Sequence, residues 1–241
     1  MKSIMDVVRD RVVPVWEEQG VMNESITIQA GPLTVEQAIG KPDGRDFPIQ
    51  KGKEKLMEAR FRGAKGQAFT DQYGDYSGTL ADIVSLSLDD NFHRAVFVAA
   101  LNAVSRSLEM VGNTIHCKDC GPKECAEKLP QYIRDRYGNC RITQVGLQPA
   151  MAEALNAAFE VRLLDLDPDN IGKVKRGVLV EGEDAAAEAL EWADVLLVTG
   201  TTFANGTIDP FLGEKPVLFY GTTIAGAAGV MGWERFCPQS T

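Results

Sequence analysis

From about residue 140 the chain switches to short, near-continuous apolar runs separated by helical segments. The runs are 142–147, 161–166, 195–199 and 217–220; the helical segments are 149–159, 184–192 and a small-residue stretch opening at Ile224. Strands apolar on both faces belong in a sheet that is covered on both faces. Helices between them supply the crossovers that a parallel sheet requires. Right-handed crossovers then narrow the topology to a small doubly wound, Rossmann-like sheet. The same pattern dictates where chemistry should be sought, because ligands of such sheets bind beyond the carboxyl ends of the strands.

The upstream half carries mixed signals. Ile4, Val8, Val12 and Val15/Trp16 recur at helical spacing, which predicts an amphipathic helix over 2–19 that bends or ends near Pro14. Residues 24–29 alternate, with Ile26 and Ile28 on one face, as in a half-buried strand. Residues 41–46, Lys-Pro-Asp-Gly-Arg-Asp, are turn chemistry, and a second strand interrupted by glycines runs through 60–69. Asp89 or Asp90 caps a longer helix whose stripe is Phe92, Val96, Ala99/Ala100 and Ala103/Val104. The expected fold class is α/β: a small α+β domain over 1–112, then a Rossmann-like parallel-sheet domain over 113–241, entered through a Cys-rich junction at 113–140. At 241 residues the chain can bury both cores.

Charge and composition exclude several functions. Thirty-four acidic residues against 25 basic give a net charge of −9, the wrong sign for a nucleic-acid groove or an anionic membrane surface. No apolar run approaches the roughly 18 residues of a membrane span, and Met1-Lys2-Ser3-Ile4-Met5-Asp6 is charged too early for a signal peptide. Five cysteines are too few for a disulfide scaffold, so the expected location is cytoplasmic. Two histidines, His93 and His116, exclude mechanisms that need several. Nothing in the sequence fixes the oligomeric state.

The strand ends read Gly146-Leu147-Gln148-Pro149, Asp165-Leu166-Asp167, Thr199-Gly200-Thr201-Thr202 and Gly221-Thr222-Thr223. Two separate strands thus end in Gly-Thr-Thr, and Asn205-Gly206-Thr207 follows the first as a turn. Small backbone donors and hydroxyls at helix starts suit a compact polar or anionic ligand, though the same residues also simply make turns and caps. Gly146 with Asp165 nineteen positions later approximates a dinucleotide fingerprint. The second and third glycines are absent, Gln148 would crowd a pyrophosphate and Pro149 removes a donor, so the loop argues against NAD.

The thiols form a second constellation: His116-Cys117-x2-Cys120-x4-Cys125, with Cys140 after a further fourteen residues and Cys237 apart. A CxxC turn with further thiols nearby could ligate a soft metal, as zinc or an iron–sulfur cluster, with His116 as an alternative nitrogen ligand. The spacing matches no standard zinc or ferredoxin pattern. The competing readings are ordinary reduced thiols, and a reactive Cys125 near the start of a helix opened by Pro122.

With the strand-end motifs in view, above all 198–207, Val-Thr-Gly-Thr-Thr-Phe-Ala-Asn-Gly-Thr, the chain resembles the family described as "putative heavy-metal chelation". In that family an enolase N-terminal-like domain precedes a Rossmann-like one. The resemblance is firmest over 113–235. It implies a ligand site in the interdomain cleft that draws on Gly146, Gln148, Asp165, Thr201, Thr202, Asn205, Thr222 and Thr223. It does not make the chain an enolase, since residues 140–241 are too few for the barrel that reaction needs. The leading reading is a protein that binds a metal, or a metal-containing or small polar ligand, in the cleft, with Cys117, Cys120, Cys125 and Cys140 as candidate soft-metal ligands. The alternative is an enzyme acting on a small polar or nucleotide-like substrate there, with Cys117 or Cys125 reactive; the lack of a His/Glu acid–base pair weakens it. A third reading is a scaffold whose thiols have no metal role.

Overall fold

The computed structural model describes residues 2–29, 36, 40 and 54–241; the turn expected at 41–46 lies outside the described residues. Helix α1 (Ile4–Glu18) is capped by Ser3, whose hydroxyl accepts the Asp6 N–H, and it buries Met5, Val8, Val12 and Trp16. It runs through Pro14 instead of ending there. The apolar stripe keeps its helical spacing across the proline, and burial of Trp16 outweighs the single backbone bond that a proline forfeits.

Strands β1 (Ser25–Gln29), β2 (Lys55–Phe61), β3 (Ala64–Thr70) and β4 (Tyr76–Thr79) form an antiparallel sheet in the order β3-β2-β1-β4. The single strand expected over 60–69 is instead the end of β2, a two-residue turn and most of β3. Arg62 and Gly63 both take positive φ (49° and 81°), and Phe61 pairs with Ala64 across them. Such two-residue turns match the twist of antiparallel strands, so the glycine reverses the chain. A Thr79–Asp82 capping box starts α2 (Leu80–Ser85), and Asp90 caps α3 (Asn91–Ser107) by accepting the His93 N–H at 2.8 Å. The His93 ring contacts the same carboxylate, Nδ1 to Oδ2 at 2.7 Å.

After α4 (Gly121–Tyr137) comes the second sheet. Its strands are β5 (Arg141–Val145), β6 (Glu160–Leu164), β7 (Val174–Lys175), β8 (Val178–Glu181), β9 (Val195–Thr199), β10 (Val217–Tyr220) and β11 (Arg235–Phe236). Helices α5 (Pro149–Asn156), α6 (Ala186–Trp192), α7 (Thr201–Ala204) and α8 (Ala225–Met231) intervene. The order is β11-β10-β9-β5-β6-β8-β7, parallel throughout except where β7 folds back on β8 at the edge. The chain therefore winds outward from β5 through β6 and β8, then returns to β9 and winds the other way. That is the doubly wound arrangement the strand–helix alternation predicts, and it places the switch point between β5 and β9.

Helix α3 lies between the two sheets and belongs to a core common to both. Every residue from Ala95 to Ser105 is buried, as a helix covered on all sides requires. Its alanines allow close approach: a Cβ at Gly66 of β3 would lie 2.1 Å from the Ala103 nitrogen, so the strand rests directly on the helix backbone. One apolar cluster runs from Val8, Ile26 and Phe61 through Phe97 and Leu101 to Val198, Phe219 and Ala227.

The polar exception on α3 is Asn102, which is wholly buried. Its Nδ2 donates to the carbonyls of Gln67 (2.8 Å), Thr223 (3.1 Å) and Thr222 (3.2 Å), and its Oδ1 accepts the Gly226 N–H at 2.6 Å. One side chain thus joins β3, the loop after β10 and the start of α8. Replacing it with leucine of similar size would strand several buried backbone groups, each costing about 1–3 kcal/mol. We expect Asn102→Leu to destabilise the fold by roughly 3–5 kcal/mol in equilibrium denaturant unfolding; a loss below about 1 kcal/mol would show that the join is not set by this residue.

Candidate functional site

The crevice lies where the carboxyl ends of β5 and β9 diverge. Gly146, just after β5, has φ of +87°, and a Cβ there would come within 2.7 Å of Thr199 Cγ2 and 3.0 Å of the Tyr220 hydroxyl. Both its conformation and its surroundings call for glycine. Tyr220, at the end of β10, donates to the carbonyls of Gly146 (2.8 Å) and Val145 (3.2 Å), and Gln144 Nε2 donates to Gly146 O at 2.9 Å. Burial raises the phenol well above its ordinary range. Gln144 Oε1 is buried without a partner.

The donors that would cradle a phosphate are already engaged. Asp165 accepts the Leu147 N–H on one carboxylate oxygen (2.9 Å) and the Asp167 N–H on the other (2.7 Å). Gln148 caps α5, its Oε1 taking the Met151 N–H at 2.6 Å. A pyrophosphate held by a first βα turn needs those N–H groups free. The acid that resembles a ribose-binding residue instead ties its own loop shut.

The other residues implied by the motifs fall at the same end of the sheet but are not equally available. Thr202 donates to Thr199 O at 2.7 Å, and the Thr201 and Thr199 hydroxyls lie 3.2 Å apart. The Thr223 hydroxyl accepts the Phe69 N–H at 3.1 Å, bridging to β3. Around Asn205, Arg94 holds the main chain through Ala204 O (3.0 Å) and Asn205 O (3.4 Å). The Asn205 Oδ1 and Thr222 Oγ1 atoms are buried without a partner.

Two residues the sequence reading missed complete the rim. Lys55 pairs with Thr70, so Glu54 and Asp71 extend side by side from one end of the β2–β3 hairpin. Asp165 and Asp167, in the loop after β6, are close enough to act electrostatically on Glu54. Glu54 is partly buried, and its carboxyl is pushed up to about 7 by burial, then by the charges of Asp165, Asp71 and Asp167. Asn91 Nδ2 donates to Asp71 at 2.7 Å. Recognising the hairpin would have revealed the pair, because register alone places them together. Four carboxylates from two sheets therefore lie within electrostatic reach of Glu54, beside a turn whose Leu147 and Met151 N–H groups are already engaged. Among the described residues, no three His, Cys, Asp or Glu side chains are drawn together as ligands of a bare metal ion.

The thiols are arranged differently from the expected group of four. Cys117, Cys125 and Cys237, the last set apart in the sequence, are close enough to act on one another electrostatically. Cys120 is exposed at the start of α4, donating to Glu124 Oε1 at 3.0 Å, and that bond raises its pKa. Cys140 precedes β5, with its pKa raised by burial and by Asp194. From Cys125 to the end of α4 is twelve residues, or about 18 Å of helix, and Cys140 follows at the amino-terminal end of the central strand β5, away from Cys125. A closed four-thiol zinc or iron–sulfur site does not fit this arrangement. His116, the alternative ligand, packs edge-on against Phe69 with ring centroids 5.2 Å apart. Burial draws its pKa down to about 4, and its Nδ1 has no partner. A surface depression of about 560 Å³ around Tyr132, Arg136, Tyr137 and Glu234 lies at the other end of α4, where both tyrosines donate to Glu234 at 2.7 Å. It contains none of the residues singled out by motif.

Comparison with known proteins bears on the second sheet. Residues 130–223 match the family model described as "Putative heavy-metal chelation". No curated protein matches the chain. Among solved structures, the fold resembles a DUF364-family protein of unknown function from Pyrococcus horikoshii at 16% identity, over 91% of this chain and 78% of that one, with a TM-score of 0.50. It also resembles one from Desulfitobacterium hafniense DCB-2 at 13% identity, over 73% and 72%, with a TM-score of 0.50. The matched span holds all eight motif residues of the crevice and leaves out Cys117, Cys120, Cys125 and Cys237. Residues 130–223, from within α4 to the loop after β10, carry the pattern of the DUF364 family, described as "Putative heavy-metal chelation".

Proposed function

We propose that the protein binds a small metal-bearing ligand in the crevice at the β5–β9 switch point. The observation that carries this reading is the nearness of Asp71, Asp165 and Asp167 to Glu54 at strand ends where the Leu147, Met151 and Asp167 N–H groups are already engaged. A cluster of carboxylates repels a polyanion and attracts a cation. A metal that arrives with part of its coordination supplied by a small polar chelator asks the protein for only one or two oxygen ligands, which matches carboxylates spread over two sheets. The family description agrees with such a ligand. The thiol group is not needed for it.

A second reading, an enzyme acting on a small polar substrate, draws on one feature. A carboxyl pushed up to about 7 can exchange a proton near neutral pH. The closed cradle at Leu147 and Met151 counts against a nucleotide-like substrate.

Calorimetry and thermal shift with Co²⁺, Ni²⁺ and Zn²⁺, each free and as its citrate or histidine complex, test the binding reading. A binding ligand raises the melting temperature. We expect at least one complex to bind, with affinity weakened about tenfold or more by Glu54→Gln or Asp71→Asn, a loss of about 1.4 kcal/mol. Affinity should rise as pH passes upward through about 7, where Glu54 loses its proton. No binding by any of these, or equal binding by both variants, would remove the proposal's support.

The same carboxyl makes an independent prediction. Its pKa is raised on folding, so between its ordinary value of 4.5 and about 7 the folded state holds more protons than the unfolded one. Stability must therefore fall as pH rises through that window. We expect Glu54→Gln to remove a decline on the order of 2 kcal/mol between pH 5 and pH 8, read from denaturant midpoints.

A further inference from the structure

The outer edge of the second sheet carries a surface that the crevice does not use. β7 is the last strand there, and among the described residues no strand pairs with its outer side. It turns into β8 through Arg176 and Gly177, both at positive φ (52° and 84°), the two-residue turn that suits antiparallel strands. Helix α5 holds this turn in place: Asn156 Nδ2 donates to Arg176 O at 3.5 Å and would meet a Cβ on Gly177 at 2.5 Å. Further along, Val180 donates to Lys173 O at 3.0 Å and accepts the Gly172 N–H at 2.9 Å. Bonded and non-bonded pairs alternate in such a ladder. The next pair, Val174 with Leu179, is therefore non-bonded, and the Val174 N–H and C=O point out from the edge.

The side chains beside that backbone are apolar and basic. Val174 and Leu179 oppose each other on one face, 67% and 52% exposed, while Val178 and Val180 on the other face are buried with Ala152 and Leu163. Of the large apolar side chains exposed among the described residues, Leu166, Ile171, Val174 and Leu179 fall in this one stretch, and only Tyr73 and Met110 lie elsewhere. Lys173, Lys175 and Arg176 add three cations within four residues of a chain whose net charge is −9. Lys173 donates to Asp169 O at 2.6 Å and Arg176 to Glu153 at 3.3 Å.

We propose that the β7 edge docks an extended, acidic segment of another protein, which adds to the sheet as a further strand. The outward N–H and C=O of Val174 supply main-chain pairing, and the Val174–Leu179 pair seats an apolar side chain of the guest. The three cations select carboxylates on either side of it. The same charges argue against a second copy of this chain. A two-fold pairing of β7 with itself, centred on Val174, sets Lys173 opposite Lys175 of the other copy twice over, and like charges directly opposed are destabilising. Lysines on an open edge discourage indiscriminate pairing; an acidic strand is the guest they favour.

The test uses the full-length protein and a short fluorescein-labelled peptide of alternating glutamate and valine, read by anisotropy. We expect the peptide to bind, to weaken as NaCl is raised, and to bind about tenfold more tightly than the same peptide with lysine for glutamate. Amide exchange at 173–175 should slow when it binds. Val174→Pro removes the outward N–H without breaking a ladder bond and should abolish binding with the circular dichroism unchanged. Lys175→Glu, which leaves the backbone intact, should weaken binding about tenfold. No binding, equal binding of the lysine peptide, no protection at 173–175, or a Lys175→Glu variant that binds as well as the wild type would each overturn the proposal. So would a concentration-dependent dimer in sedimentation that Val174→Pro abolishes, which would give the edge to a second copy.

Discussion

The buried amide of Asn102 is the contact on which the geometry of the crevice depends. Without it, the antiparallel sheet and the loop after β10 would meet through the Phe69–Thr223 hydrogen bond and apolar packing, and packing is not directional. Three donated bonds and one accepted bond fix the depth at which α3 sits against both. They also fix which residues of the first sheet face which strand ends of the second. Phe69 reaches Thr223 because Gln67, two residues earlier on the same strand, is held by Asn102. The hairpin register sets Glu54 beside Asp71, with Glu54 within electrostatic reach of Asp165. A buried polar side chain with every partner present specifies an arrangement, where an apolar one would only favour burial.

Tying the two halves together in this way leaves the switch point to be closed from within. In a dinucleotide-binding sheet the first βα turn presents free N–H groups to a phosphate. Here Asp165 and Gln148 occupy those donors, and Gly146 is pinned between Thr199 and Tyr220. The topology is that of a nucleotide fold, but the local electrostatics are reversed: a carboxylate sits where a phosphate would go. Topology by itself is therefore a poor guide to the ligand, and the sign of the charge at the strand ends is a better one.

How much of this was legible depends on the range of the signal. The parallel sheet could be read because each strand is a short apolar run and each crossover a helical period, both local patterns. The cap at Asp90 was equally local. The hairpin at Arg62–Gly63 was hidden because glycine was read as a break within one strand. Once that was missed, the juxtaposition of Glu54 with Asp71 was invisible. The thiols show the opposite failure. Cys117, Cys120, Cys125 and Cys140 are near in sequence, yet a 17-residue helix separates Cys140 from the others, while Cys237 returns to them through the tail. Density along the chain was mistaken for proximity in space, and a helix is the element that most efficiently pulls the two apart.

The burial of like charges around Glu54 bears on how such a crevice could work. Three carboxylates and a neutral acid can coexist there, but a fourth charge raises the energy of the folded state. A bound cation would reverse that penalty, releasing the Glu54 proton as it enters, so binding and deprotonation are thermodynamically one event. A neutral guest would gain nothing from the arrangement, and an anionic one would make it worse. In the proposed binding role these carboxylates would discriminate by charge before any ligand bond forms, and they would do so from residues that only the register of two sheets brings together.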